Sequence, residues 1–326
     1  MTLVRSASKT RVAHDQAATI VEAAFGGTAS LAAFSECEEG WFNGVYRLEL
    51  RDGTACILKV APPPGFRAMR YEHGIMTTEI NTLRLVHERT DVPVPEVLFW
   101  DESCTLLPSP YFVMEACPGI LLSELRPRLD RDATRVIDAQ VARHVAAINT
   151  IEAPAFGRPE PSAPHHPSWS EAFSDLVADH LADAADAGLE LPLSRHELAD
   201  LVQEHASALD AVTSPRVVHW DLWDPNVFVD AHTLDVVGII DFERALWADP
   251  LMEAQFLGKR SNDDLVRAYG QPLFDQPSAV ERRQLYDMYL YLVMFIECAY
   301  RNYATDDIES LARACLPQAI EEIQTN

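Results

Sequence analysis

A change of pattern at Cys117-Pro118-Gly119 constrains this chain more than any other feature. Short β-like runs precede it and long helical periodicities follow it. "LAAFSEC", "VYRLELR" and "ACILKVA" read as three strands, the last two joined at Asp52-Gly53, a dipeptide that favours a hairpin turn. Apolar positions at Ile80, Leu83, Leu85 and Val86 mark a helix over about Thr77 to Glu88, ended by the prolines of "DVPVPE". "EVLFWD" and "YFVMEA" complete an antiparallel sheet of about five strands. Beyond Gly119, helices are expected over roughly Ala133 to Ile148, Trp169 to Ala187, Arg195 to Ala211 and Ser278 to Tyr303. The expected fold class is α+β with two lobes, a small sheet lobe over residues 1–117 and a larger, mainly helical lobe over 118–326. With 326 residues, 48% of them hydrophobic, the chain can fill both cores.

The 50 acidic residues against 26 basic ones give a net charge of -24, which disfavours nucleic acid and anionic membranes as partners. The same charge would suit a cationic small substrate, or simply keep the protein soluble. Six cysteines are scattered without the spacing of a zinc site or disulfide framework. No apolar stretch follows the basic N-terminal residues, and the run from Tyr289 to Ile296 is too short to cross a bilayer, so a cytoplasmic location is expected. His165-His166 has no acidic or cysteine partner at ligand spacing, and no metal is expected there.

Chemistry concentrates in "VVHWDLWDPNVFVDAHTLDVVGIIDFE", which interrupts the helical half with two β-like runs, Val227 to Val229 and Val236 to Ile240. Paired as a hairpin, they bring Asn226 and Asp241 to one end. Two such oxygen ligands suit Mg2+, a hard cation that completes its shell with water and phosphate oxygens. Asp221, on the loop entering the hairpin, can accept a hydroxyl proton during attack on a phosphoryl group. His219 is expected to brace that loop through backbone hydrogen bonds.

These residues resemble those of aminoglycoside phosphotransferases and related small-molecule kinases, a family with the two-lobed protein-kinase-like fold, over nearly the whole chain. "EGWFNGVYRLEL" resembles the family's nucleotide-covering loop, with Gly40, Asn43 and Gly44 ahead of the V-Y-R strand. "CILKV" is similar to the strand carrying the phosphate-binding lysine. "EINTLRLVHERTDVPVPEVL" is similar to the helix whose leading glutamate pairs with that lysine. "YFVMEACPG" resembles the linker between lobes, and "DFERALWADP" the segment after the metal-binding aspartate.

The resemblance implies that residues 1–117 bind ATP or GTP. Lys59 would reach the phosphates with Glu79 as its ion-pair partner. Met114, Glu115 and Cys117 would lie along a linker that holds the base through backbone groups. It further implies Asp221 as catalytic base and Asn226 and Asp241 as Mg2+ ligands. Glu72 competes with Glu79 but precedes the convincing helix. Trp220 stands where the family often has glycine, "WDP" at Trp223 to Pro225 replaces H-P-G, and Ala248 replaces a glycine before Asp249-Pro250.

The expected activity is transfer of the γ-phosphoryl group to a small-molecule hydroxyl, on an aminoglycoside-like antibiotic or an amino-alcohol or sugar metabolite. Two rivals remain open: a non-catalytic nucleotide-binding module of the same fold, and a metal-dependent hydrolase using His219, Asp221 and Asp241. Glu171, Asp175, Asp179 and Asp183 repeat at i,i+4 spacing. They form either a stripe facing a cationic acceptor or a solvated helix face. Oligomeric state is not legible.

Overall fold

The structure is a computed structural model that describes residues 8–37, 42–254, 263–301 and 307–325. Its contacts separate two compact units, Met1–Arg67 with Val94–Pro118 and Ala68–Pro93 with Gly119–Asn326. The single cut expected between residues 117 and 118 misses the excursion of residues 68–93 into the second unit. Packing explains it: helix α2 (Ile75–Arg89) lies against the 3-10 turn Phe242–Arg244, and the Ile239 N–H donates to the Pro93 carbonyl at 2.7 Å.

The first unit holds helix α1 (His14–Phe25) and strands β1 (Leu31–Glu36), β2 (Gly44–Leu50), β3 (Ala55–Val60), β4 (Val97–Asp101) and β5 (Tyr111–Glu115). The five strands form one antiparallel sheet in the order β1-β2-β3-β5-β4. Alternation along β2 turns Tyr46, Leu48 and Leu50 inward, where they pack with Ala17, Ile20 and Val21 of α1. The β2–β3 turn closes as its dipeptide requires, with Gly53 at φ +90 and the Asp52 carboxylate accepting from Thr54 N–H at 2.9 Å.

The second unit is mainly helical, and it carries α2 at its start. Strand β6 (Ile120–Leu121) and the short helix α3 (Leu122–Leu125) lead to α4 (Arg131–Ile148), capped by Asp130, whose side chain accepts from Ala133 N–H at 2.8 Å. Strands β7 (Phe156–Gly157) and β8 (His165–His166) precede α5 (Trp169–Asp186). The expected helix over Arg195 to Ala211 is two, α6 (Arg195–Glu204) and α7 (Ala206–Leu209), separated at His205. Strands β9 (Arg216–Val218), β10 (Val227–Val229), β11 (Val236–Ile239) and β12 (Leu246–Ala248) come next. Helices α8 (Asp263–Tyr269), α9 (Ala279–Arg301) and α10 (Asp307–Gln324) close the described chain.

β10 and β11 pair antiparallel, Val227 opposite Ile239, and β6 adds a third strand at β10. Gln140 of α4 fastens the turn from both sides, donating to Leu234 O at 2.8 Å and accepting from Val236 N–H at 3.0 Å. The second small sheet runs β8-β7-β12-β9, and its two- and three-residue strands are too short for periodicity to reveal. No helix among the described residues is long and apolar enough to cross a membrane.

Gly119, ahead of β6, has φ +86, and a Cβ there would stand 2.5 Å from the Val229 carbonyl oxygen. Both the left-handed conformation and the backbone contact demand glycine. Gly119→Ala is expected to destabilise the protein by about 2–3 kcal/mol, read from urea denaturation of the full chain.

Candidate active site

β9 delivers the chain to His219, after which Trp220 takes a left-handed backbone at φ +62. Such a conformation is unusual for a bulky side chain and has to be held. One buried carboxylate holds it. Glu253 accepts from the backbone N–H groups of His219 (3.0 Å, Oε1) and Trp220 (3.0 Å, Oε2), and from the Asn149 amide at 2.9 Å. Burial raises the Glu253 pKa even against these three donors. Tyr269 donates to Asn149 at 2.9 Å, and Asn149 also donates to Val217 O at 2.8 Å, so the brace is continuous with β9.

The buried His219 ring spans the loop and the hairpin. The Asp221 N–H reaches its Nδ1 at 3.3 Å, so Nε2 carries the proton and donates to Ile240 O at 3.0 Å. Both ring nitrogens are thereby spent on backbone, which removes the histidine ligand that a metal-dependent hydrolase would use. The Asn226 amide donates to Asp221 O at 2.8 Å, and the Ile240 N–H to Asn226 O at 3.1 Å. The loop from His219 to Asn226 is thus tied to the hairpin end that carries Asp241.

Asp221 faces a buried ionic network. Its Oδ2 lies 3.6 Å from Arg244 Nε, while Arg244 Nη2 donates to Glu297 at 2.7 Å and its guanidinium sits 5.6 Å from the Tyr71 ring centre. Tyr71 donates to Glu297, and Arg301 pairs with both Glu297 and Glu72. Burial pushes the Asp221 carboxyl up to about 7; the charges of Asp241, Glu297 and Glu243 add to this, and Arg244 opposes it. Glu72 is likewise raised to about 7 by burial. Its two oxygens take Met69 N–H and Arg301, so Glu72 is committed inside the second unit.

Asp241 is left-handed at φ +70, ahead of the turn that packs on α2. Glu79 of α2, Asp241 and Glu243 each present a carboxylate oxygen, all within 4.8 Å of one another. Such a donor set fits a hard divalent cation such as Mg2+.

In the first unit, Lys59 is buried in β3 between Val45 of β2 and Phe112 of β5. Lys59 and Glu79 belong to different units. Asn43 is buried, and Gly44 is needed for close approach: a Cβ there would come within 2.8 Å of the Thr10 carbonyl oxygen. Gly40 lies outside the described residues. Along the linker, Met114 is buried in β5, and the N–H groups of Glu115 and Ala116 bond Glu96 O (3.0 Å) and Ala55 O (3.3 Å). Burial pushes the Cys117 thiol up to about 12, so it is a neutral wall there.

A family model described as "Phosphotransferase enzyme family" matches residues 33–284. The chain belongs to this family. Its fold is the protein-kinase-like one. A candidate fructosamine-3-kinase of Thermobifida fusca YX-ER1 superposes with TM-score 0.67 at 21% identity, covering 95% of this chain and 98% of that one. A thermostable mutant of aminoglycoside phosphotransferase APH(4)-Ia, in apo form, gives TM-score 0.66 at 18% identity, over 94% and 98%. The same enzyme has also been solved in ternary complex with ADP and hygromycin B, at TM-score 0.64. The GDP complex of wild-type aminoglycoside 2'-phosphotransferase-IIIa gives 0.62 at 16% identity, over 93% and 97%. An Arabidopsis thaliana protein named "Probable acyl-CoA dehydrogenase IBR3" is 21% identical over 227 residues, 68% of this chain and 27% of that protein. The chain therefore spans about a quarter of that relative's length.

Within this phosphotransferase, the acidic stripe on α5 needs correction. Three of its four carboxylates meet side chains of the protein itself. Asp183 is buried and takes the Arg70 N–H at 3.0 Å as well as its guanidinium. Asp179 accepts from Arg158 at 2.6 Å, and Asp175 stands 3.4 Å from His166. Glu171 alone of the four is exposed. Spacing identified a helix face but could not identify what covers it.

Residues that sequence reasoning missed include Glu243, Arg244, Glu253 and Glu297. Glu243 and Arg244 were visible as the charged pair directly after Asp241-Phe242; Glu253 and Glu297 left no signal, since their partners are remote in the chain. Removing the Glu253 carboxylate strands two backbone donors and an amide. Glu253→Ala is expected to cost about 3–5 kcal/mol in urea denaturation, in the range of broken buried ionic groups. Glu253→Gln, which keeps shape, is expected to cost about 1–3 kcal/mol.

Proposed function

We propose that this phosphotransferase moves the γ-phosphoryl group of ATP or GTP to a hydroxyl of a small molecule, with Asp221 as the base. The observation that carries this reading is the Asp221 carboxyl itself. Hydrogen bonds hold its backbone N–H and carbonyl in the loop, and burial pushes its carboxyl up to about 7, where it can take a proton at neutral pH. The hydroxyl oxygen would form the new bond to the γ-phosphorus as the bond to the β–γ bridging oxygen breaks. The hydroxyl proton passes to Asp221, and ADP or GDP leaves. Solved relatives carrying ADP or GDP support a nucleotide donor.

Asp241 and Asn226, with Glu243 beside Asp241, would hold Mg2+, which when bound offsets phosphate charge. Lys59, with Glu79 as its counter-charge, would steady the phosphates. Asn43, Gly44 and the linker from Met114 to Cys117 would line the nucleotide. A nucleoside triphosphate donor goes with a cytoplasmic setting.

Asp221→Asn is expected to lower turnover roughly 10²–10⁴-fold while nucleotide binding survives. Full turnover in that variant would remove Asp221 from the mechanism. Asp241→Ala is expected to abolish Mg2+-dependent nucleotide hydrolysis, followed by phosphate release.

The sign of the pH dependence follows from Asp221. The base must be ionised, so kcat/KM should fall about tenfold per unit as pH drops below about 7. Arg244→Leu removes the cation that opposes the rise and should move this limb to higher pH. Raised Mg2+ should move it lower, because a cation at Asp241 cancels a charge that lifts Asp221. A limb unmoved in Arg244→Leu would show that another group sets it.

A further inference from the structure

Asp224 opens the 3-10 turn Asp224–Asn226, and Pro225, next in that turn, has no N–H to offer it. An aspartate at the start of a turn commonly caps that turn with its own side chain. Here no side-chain cap is made. The carboxylate instead meets Arg126, 98 positions away, which donates to it twice, from Nε to Oδ2 and from Nη2 to Oδ1, the second at 2.8 Å. Nη2 also donates to Asp138 of α4 at 2.9 Å. Two parallel donors fix a carboxylate in direction as well as in distance.

The segment that carries Arg126 grips the loop and hairpin at two points. Ahead of Arg126, Leu121 of β6 pairs with Phe228 of β10, and Ile120 with Val229. Leu122 and Leu125 bury one side of α3, which brings the chain round to Arg126 and so to Asp224. Asn226 lies between these two anchors. Its N–H donates to Trp223 O at 2.9 Å, and its carbonyl accepts from Ile240 N–H at 3.1 Å. From α4, Asp138 holds the guanidinium while Gln140 holds the far turn of the hairpin.

The pair is local in its effect. The side chains of Arg126, Asp224 and Asp138 are 31%, 33% and 35% exposed, and ion pairs this open to water add little to global stability. A group that orients a metal ligand counts for more at the metal, because its loss commonly weakens metal binding 10–100-fold. The aspartate that Arg126 needs belongs to Trp223-Asp224-Pro225, one of this chain's departures from the family pattern.

We propose that Arg126 is a positioning residue: through Asp224 it fixes the turn that presents Asn226 to the divalent cation. This rests on the phosphotransfer reading, in which Asn226 and Asp241 hold Mg2+, and adds the group that sets Asn226.

The full chain, saturated with a non-hydrolysable ATP or GTP analogue, is titrated with Mn2+, and the bound metal is read by electron paramagnetic resonance. Arg126→Ala should weaken Mn2+ binding about tenfold. It should also speed hydrogen exchange at the Asn226 N–H about tenfold, with the melting midpoint within about 3 °C of the parent. Asp224→Asn, which keeps the shape of the side chain, should move both readings in the same direction. Arg126→Lys, a point charge without the planar fork, should recover only part of the loss. Arg126→Ala combined with Asp224→Asn should be no weaker than the worse single variant, since both break one contact. Unchanged Mn2+ affinity in Arg126→Ala overturns the proposal, as do losses that add in the double variant. Faster exchange spread through α9 with a much lower melting point also overturns it, because that marks general unfolding. The parent protein separates the two levels. If it fails to bind the analogue or Mn2+, the phosphotransfer reading falls and this proposal with it, whereas Mn2+ binding indifferent to Arg126 defeats only the positioning role.

Discussion

The hydrogen bonds from the His219 and Trp220 backbones to Glu253 are the constraint on which the active site depends. A left-handed tryptophan is unfavourable by itself, and Asp221 follows it directly, so the position of Asp221 is set by whatever holds that turn. Glu253 is in turn anchored by α9: Arg283 donates to the Glu253 carbonyl at 3.1 Å, and Arg282 donates to Asp249 at 2.8 Å. Tyr286 adds a second donor to Asp249 at 2.8 Å and accepts from Trp169 at 2.7 Å. The loop geometry is thus coupled to the packing of α9 and α5, which explains why so many polar side chains of α9 are buried.

The same helix contributes charge to the network around Asp221. Two guanidiniums, Arg244 and Arg301, meet three carboxyls, Asp221, Glu72 and Glu297. Glu297 has close partners on both arginines and lies below its ordinary range: burial would raise it, but Arg244 and Arg301 outweigh that effect. Asp221 has only a 3.6 Å share of Arg244, and burial wins. With one carboxyl in excess, burial raises both Asp221 and Glu72 to about 7. The network therefore stabilises little by itself, as buried ion pairs usually do.

How much of this was legible follows from sequence separation. Asn226 and Asp241 flank a hairpin whose register is local, and the structure pairs Val227 with Ile239 as apolar alternation and a polar turn suggest. His219 reaches Ile240 through that same hairpin. The sheet of the first unit was legible for like reasons, its turn residues and alternation being contiguous. Contacts between Glu253 and the loop, Glu297 and Arg244, or Asp183 and Arg70 span 34, 53 and 113 positions, and no periodicity encodes them. The α5 stripe shows the limit: i,i+4 spacing gave a common face, while its countercharges lay elsewhere in the chain.

Trp220 joins these threads. Glycine would meet the φ requirement of that position without strain. Tryptophan meets it only because Glu253 fixes the backbone and Tyr289 receives the ring. A strained residue persists where the surroundings over-determine it, and here its ring lines a small cleft together with Tyr71 and Tyr289. The departure at Trp220 thus alters a wall beside the loop, while the residues proposed to act on the phosphoryl donor, Lys59, Asp221, Asn226 and Asp241, keep the types that the family resemblance implies.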